Sequence, residues 1–340
     1  PDENKVYWIE REGWLSSRLI DPSEILKAAL FDQTTIIMTS ATLAPFDLLQ
    51  RETGASPQEM TTESPFQLEE QARLIIPHMH HRPGAPGYLE EMSEGIHYIL
   101  ETLRGRTMCL FTSYRNLDAC AARAEETSVR ILRQGDKPRT RLLEEFRNDP
   151  SSALFATASF WQGVDIPGEA LSCLVIDKIP FLPPTDPLLD ALQEKDPKSF
   201  MNFSIPKAVL ALRQGFGRLI RTKTDRGVVV IFDHRLLSAR YGRDFLKALP
   251  SCPIQRNLEE IKNHLFAYEE DRKKLLRQWE RVSPWPSEVK EDLLSALSLL
   301  DLAISSDPEY AEAYLLKGKI LHRLWRLEEG IAAFEKAVAY

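Results

Sequence analysis

"GVVVIF", residues 227–232, is an apolar run set between Arg226 and Asp233. It is rich in β-branched residues and too short for a helix, so it reads as a strand. Nothing polar interrupts it at alternate positions, which means that both of its faces are covered. Five runs of the same texture lie upstream: "TTIIMTSATL" (34–43), "ARLIIP" (72–77), "TMCLFTS" (107–113), "ALFATA" (153–158) and "LSCLVID" (171–177). Strands covered on both faces belong to a parallel sheet, and helical patterns at 88–103, 114–126, 138–147 and 204–213 supply the crossovers. The expected fold class is α/β, a parallel sheet with helices on both faces.

Ligands of such sheets bind beyond the carboxyl ends of the strands. Polar residues collect there: Ser40 and Thr42 close the first run, Thr112 and Ser113 the third, and Thr157 stands near the end of the fourth. Gln162, Gly163 and Asp165 lie just beyond it, Asp177 ends the fifth run, and Asp233 and Arg235 follow the sixth. A shared cleft is expected along that edge.

Bulk composition bounds the rest. The chain has 340 residues, enough for two or three domains, and a net charge of −7 argues against coating nucleic acid or anionic membrane by bulk charge. A local basic stripe inside a cleft is still allowed. The four cysteines (Cys109, Cys120, Cys173, Cys252) share no C-x-x-C unit and read as buried thiols of a reducing cytosol. No secretory signal and no apolar run of transmembrane length is visible, so a cytoplasmic protein without membrane contact is expected. His78, His80 and His81 cluster in "PHMHHRPGAPGY" (77–88), but with no acidic or cysteine neighbour the segment reads as a loop, with no metal site expected.

From about residue 255 the pattern is helical only. Residues 257–282 form a charged amphipathic run stopped by "SPWPS" (283–287). Beyond it Tyr314, Gly318, Leu321, Leu327, Ile331, Phe334 and Ala337 occupy packing positions that resemble a tetratricopeptide unit, with Ala296, Ala303 and Pro308 fitting a preceding one. Gly330 and Trp325 depart from that repeat's preferences. The chain begins without Met and ends inside this repeat, as expected of an excised piece whose helical array binds a protein partner.

"RQGFGRLIRTKTDRG" (213–227) carries five cations, Arg213, Arg218, Arg221, Lys223 and Arg226, around Gly215 and Gly217. Phosphoryl transfer needs fixed positive charge against the γ-phosphate, and arginine supplies a planar fork that cannot deprotonate. On a helix, Arg218 and Arg221 would face one side, with Gln214 a turn earlier, and Gly217 would admit a phosphate or a loop. Lys223 and Arg226 read as charge balance at the strand entrance. At "FTSY" (111–114), two hydroxyls at a helix start suit either a phosphate cradle or plain N-capping.

"TSATL" (39–43), "FWQGVDIPG" (160–168), "LVIDKIPFLPPTDPL" (174–188) and "QGFGRLIRT" (214–222), in that order, resemble the C-terminal half of superfamily 2 helicases of the DinG/XPD type, from about residue 20 to 265. The resemblance implies the end of a preceding helicase region or a linker at 1–33, a RecA-like second motor domain at 34–254, a connecting helix at 255–284 and tetratricopeptide-like repeats at 285–340. It implies that Arg218 and Arg221 are arginine fingers reaching ATP, with Gln214 beside them. Gln162, Gly163, Asp165, Gly217, Ser40 and Thr42 would couple nucleotide to DNA, and Thr112, Ser113 and Thr157 would hold single-stranded DNA by its backbone. Gln162 stands where many members carry Glu, which leaves its role open. The implied activity is 5′→3′ DNA unwinding driven by ATP with Mg²⁺, in the setting of DNA repair.

No G-x-x-x-x-G-K-[ST] loop and no D-E-x-H string occurs in these residues. ATP and Mg²⁺ are therefore expected to be gripped by an N-terminal helicase domain, where any iron–sulfur ligands of the parent would also lie. This chain alone is expected to be inactive. A competing reading is a degenerate helicase-like scaffold acting through its helical repeats.

Overall fold

The structure, a computed structural model, describes residues 2–10, 13–40, 46–62, 64, 66–157, 160, 171–217, 219–220, 225–266, 287–308, 310–323 and 326–339. The chain divides into two compact units, Pro1–Tyr268 and Glu269–Tyr340.

In the first unit a seven-stranded parallel sheet is built from β3 (Ala72–Ile75), β4 (Thr107–Phe111), β5 (Arg130–Arg133), β6 (Ser152–Thr157), β7 (Cys173–Ile176), β8 (Gly227–Ile231) and β9 (Ile254–Gln255). Their spatial order is β5-β6-β4-β7-β8-β3-β9, and each adjacent pair runs parallel. A separate antiparallel hairpin, β1 (Lys5–Ile9) and β2 (Leu15–Leu19), precedes it.

Alternate residues of each central strand enter opposite cores, as strand geometry requires. On one face Leu74, Leu110, Leu154, Leu174 and Val229 pack with Leu142, Phe146, Val209, Leu212 and Phe245. On the other, Ile75, Cys109, Phe155, Val175 and Val230 pack with Met92, Ile96, Leu117, Ala121 and Ile261. The covering helices include Tyr88–Leu103, Tyr114–Ala124, Arg139–Asn148 and Ile205–Phe216, close to the four helical patterns expected.

Five of the six expected strands are present, and the first is not. Thr34–Ser40 forms no strand; it follows a turn of π-helix, Lys27–Phe31, and Ile37 is 86% exposed. β-branched composition makes a strand only where a neighbouring edge offers pairing, and these residues have none. Ser40 therefore does not close a strand of this sheet, as the sequence pattern had it. Two strands of the seven-stranded sheet lacked an apolar run to reveal them. In "RILR" charges alternate with apolar residues, the pattern of an edge strand, and β9 is only two residues long.

The "PHMHH" loop is tied down by Glu91, in the first turn of Tyr88–Leu103. Its carboxylate accepts from the amide of His80 at 2.8 Å and that of His81 at 3.1 Å, and meets both Nδ1 atoms at 3.0 and 3.1 Å. Burial opposes ionisation of Glu91, but these contacts outweigh it and hold the carboxyl down at about 2.

The second unit consists of helices Ser287–Ser306, Ala311–Arg323 and Leu327–Ala339 around Leu297, Ile320, Leu321 and Ala333. Gly318 is buried, and a Cβ there would lie 2.7 Å from the Phe334 ring, so the last two helices approach closely at this point. Ile331 is exposed rather than packed.

Two outcomes follow from this packing. A Cβ at Gly95 would come within 2.5 Å of the fully buried Phe232 ring, so Gly95→Val destabilises the first unit by about 1–3 kcal/mol in urea unfolding. Glu91 has a depressed folded pKa, so its stabilisation is complete above its ordinary value of 4.5 and is lost as pH falls toward 2. Thermal unfolding at pH 5 and pH 3 shows a smaller drop in midpoint for Glu91→Gln than for the unsubstituted chain.

Candidate functional site

Because both faces of the sheet are sealed, polar chemistry is confined to the strand ends. Beyond the carboxyl ends of β4, β7 and β8 lies a network centred on Asp177, which is fully buried. One of its oxygens accepts from the Thr112 amide at 3.0 Å and the Lys178 amide at 2.7 Å; the other accepts from the Thr112 hydroxyl and Asn116 Nδ2, both at 2.9 Å. Burial pushes the Asp177 carboxyl up from its ordinary value, and these four donors counter the shift. The Tyr88 hydroxyl joins the neighbouring strand ends by donating to the Asp177 carbonyl while lying 3.1 Å from the Phe232 carbonyl.

Asp233, also fully buried, accepts the Ile179 amide at 3.0 Å and grips Arg235 through Nε at 2.8 Å and a terminal nitrogen at 2.6 Å. That two-pronged pair is the strongest geometry open to a carboxylate. Arg235 also stands over the Phe181 ring, which clusters with Phe200, Tyr241 and Phe245.

Ser113 is the N-cap of Tyr114–Ala124: its side-chain oxygen accepts the Asn116 amide at 3.3 Å. Thr157, at the end of β6, donates amide and hydroxyl to Gln134 Oε1 at 2.6 and 3.0 Å, and Gln134 Nε2 donates to the Tyr114 hydroxyl at 2.7 Å. The structure thus gathers Thr112, Ser113 and Thr157 on one edge and adds Asp177, Asn116, Gln134 and Tyr88 to them. Asn116 and Gln134 carried no sequence signal, since an amide in a helix or at an edge strand looks like any surface residue.

Gln214 lies in Ile205–Phe216, and Gly217 caps that helix with an ordinary helical φ of −63°. The helix ends before Arg218, so helical periodicity does not set which way Arg218 and Arg221 face. A Cβ at Gly217 would meet nothing closer than 3.6 Å, so the protein's own packing does not demand glycine there. Leu219 packs over Gly227, the first residue of β8. The residues flanking Arg218 therefore sit at the amino edge of the sheet, opposite the hydroxyl-bearing edge. Thr42, Gln162, Gly163, Asp165, Arg218 and Arg221 lie outside the described residues. By connectivity, residues 158–172 join the carboxyl end of β6 to the amino end of β7.

Among the described residues no group of three His, Cys, Asp or Glu side chains could hold a metal ion. Burial raises all four thiols, Cys120 to about 12 and Cys252 to about 11. Nor, among those residues, is any helix long and apolar enough to cross a membrane.

Comparison with known proteins places this geometry. The chain is 42% identical over 205 residues to the ATP-dependent DNA helicase YoaA of Haemophilus influenzae, covering 58% of this chain and 32% of that protein. It is 38% identical over 283 residues to the ATP-dependent helicase DinG of Mycobacterium tuberculosis, covering 77% and 42%. A solved XPD helicase structure superposes with a TM-score of 0.54 at 18% identity, over 71% of this chain and 46% of the other, a likeness of fold alone. The chain spans about a third to two fifths of the length of these curated relatives. Residues 96–252 match the helicase C-terminal domain family, and with the sheet and relatives described above the chain carries a helicase C-terminal region of the DinG/XPD type.

Proposed function

We propose that this chain supplies the second motor domain of an ATP-dependent DNA helicase that moves 5′→3′ on single strands. The observation that carries the proposal is the occurrence of "FWQGVDIPG" and "QGFGRLIRT" within the stretch that matches the helicase C-terminal domain. Arg218 and Arg221 act as arginine fingers toward ATP, with Gln214 and Gly217 leading into them. Gln162, Gly163, Asp165, Ser40 and Thr42 couple nucleotide to DNA. No G-x-x-x-x-G-K-[ST] loop and no D-E-x-H string occurs in this sequence, so Mg²⁺ and the ATP phosphates are assigned to an N-terminal domain and this chain alone to an inactive state. The four cysteines share no C-x-x-C unit, and an iron–sulfur cluster of the parent is assigned to that other domain. The protein is assigned to the cytoplasm.

Donor bookkeeping divides the work at the DNA edge. Phosphodiester oxygens only accept hydrogen bonds. The Thr112 hydroxyl has given its proton to Asp177, so it has only lone pairs to offer outward. Ser113 is the reverse: capping uses a lone pair and leaves its proton to donate. Ser113 therefore contacts the backbone, and Thr112 and Thr157 hold the edge in shape. Such contacts bind the strand without reading sequence.

A second role rests on the helical unit, where Leu299, Leu302 and Val338 are 68%, 66% and 88% exposed. Exposed apolar side chains on tetratricopeptide-like helices suit a protein partner, whether beside helicase activity or in a scaffold that has lost it.

Two experiments test these readings. In the helicase assembled with its N-terminal domain, Arg221→Ala lowers DNA-stimulated ATP turnover by about 10³–10⁵; unchanged turnover removes the finger assignment. Ser113→Asp keeps the helix cap but loses the donor and adds charge. Its affinity for oligo(dT) falls about tenfold or more with little change in stability. Thr112→Val instead lowers stability by about 1–3 kcal/mol and leaves affinity nearly unchanged.

A further inference from the structure

Gln71 is a buried polar side chain, at 2% exposure. It ends the short helix Leu68–Gln71 just before β3, and the register of β3 against β8, Ala72 opposite Gly227, brings it alongside the residues that precede β8. Both ends of its amide are engaged. Oε1 accepts from the Gln67 amide at 2.9 Å, and Nε2 donates across the sheet edge to the Asp225 carbonyl at 3.0 Å. Its own carbonyl lies 3.1 Å from Nε2 of His264, in the helical residues 260–266. Burial holds that imidazole down at about 4, so at neutral pH it is uncharged and Nε2 serves as the donor to this carbonyl.

Asp225 closes the "RLIRTKTD" segment. The upstream anchor is apolar: Leu219 and Ile220 are 1% and 5% exposed, and Leu219 is seated on the bare backbone of Gly227. Downstream, the Gln71 side chain holds the Asp225 carbonyl. Residues 221–224, which include Arg221, therefore span only from Ile220 to Asp225, between two fixed points. A charge aimed at a transition state is effective only when its support is rigid. Sequence reading gave Gln71 no role, because it lies well over a hundred residues away from the segment it holds.

We infer that Gln71 is a positioning residue for the arginine segment, fixing its downstream end through the Asp225 carbonyl. This rests on the proposed role of Arg221 in ATP turnover. It assigns Gln71 no contact with nucleotide or DNA.

Two variants separate positioning from plain stability. Gln71→Glu keeps the acceptor for Gln67 and loses the donor to Asp225; Gln71→Met loses both. In the helicase assembled with its N-terminal domain, each lowers kcat for oligo(dT)-stimulated ATP hydrolysis about tenfold or more, while KM for ATP and affinity for oligo(dT) change less than threefold. In the 340-residue chain, each speeds amide hydrogen exchange in residues 219–226 relative to β8. Equal losses in kcat, oligo(dT) affinity and β8 protection would mean a general structural role and overturn the inference, as would the failure of both variants to fold. Wild-type kcat in the Gln71 variants alongside an inactive Arg221→Ala would also overturn it while leaving the finger assignment intact. An active Arg221→Ala would instead remove the reading on which the inference rests.

Discussion

The central constraint is that the strands are buried on both faces. Helices cover the sheet above and below, so no polar side chain can work from the middle of a central strand. Chemistry is pushed to the strand ends, and each polar group there must find partners within a few residues of a sealed core. Asp177 and Asp233 meet that demand completely. Each is fully buried, and each is ringed by donors from neighbouring strand ends and loops.

The same constraint divides the molecule's polar business between two edges. At the carboxyl edge, hydroxyls, amides and carboxylates form a hydrogen-bonded rim. At the amino edge, Leu219 packs over Gly227 and the Gln71 side chain donates to the Asp225 carbonyl just before β8. The polar residues that close strands face one way, and the flanks of Arg218 lie at the other end of the same sheet.

Much of the fold was legible because burial writes itself as composition. "TMCLF", "SALFAT", "CLVI" and "GVVVI" could hardly be anything but interior strands. "TTIIMTS" carried the same signal and misled, since apolar, branched residues reveal a preference for pairing but not whether a neighbour is within reach. "RILR" hid for the opposite reason: an edge strand looks half soluble. Of the site, the hydroxyls of Thr112 and Ser113 were visible as a pair, but not which had already given away its proton. That distinction depends on Asp177, a residue more than sixty positions on, and on the pairing of β4 with β7. Gln71 and Gln134 were invisible for the same reason, as their value lies wholly in what the fold sets beside them.

The sulfur atoms carry a consequence of their own. All four cysteines belong to the first unit, and burial raises each thiol, which disfavours the reactive thiolate. Peroxides and electrophiles thus find little nucleophile on the intact fold. Oxidation of the buried Cys109, Cys120 and Cys173 therefore requires the sheet to open first.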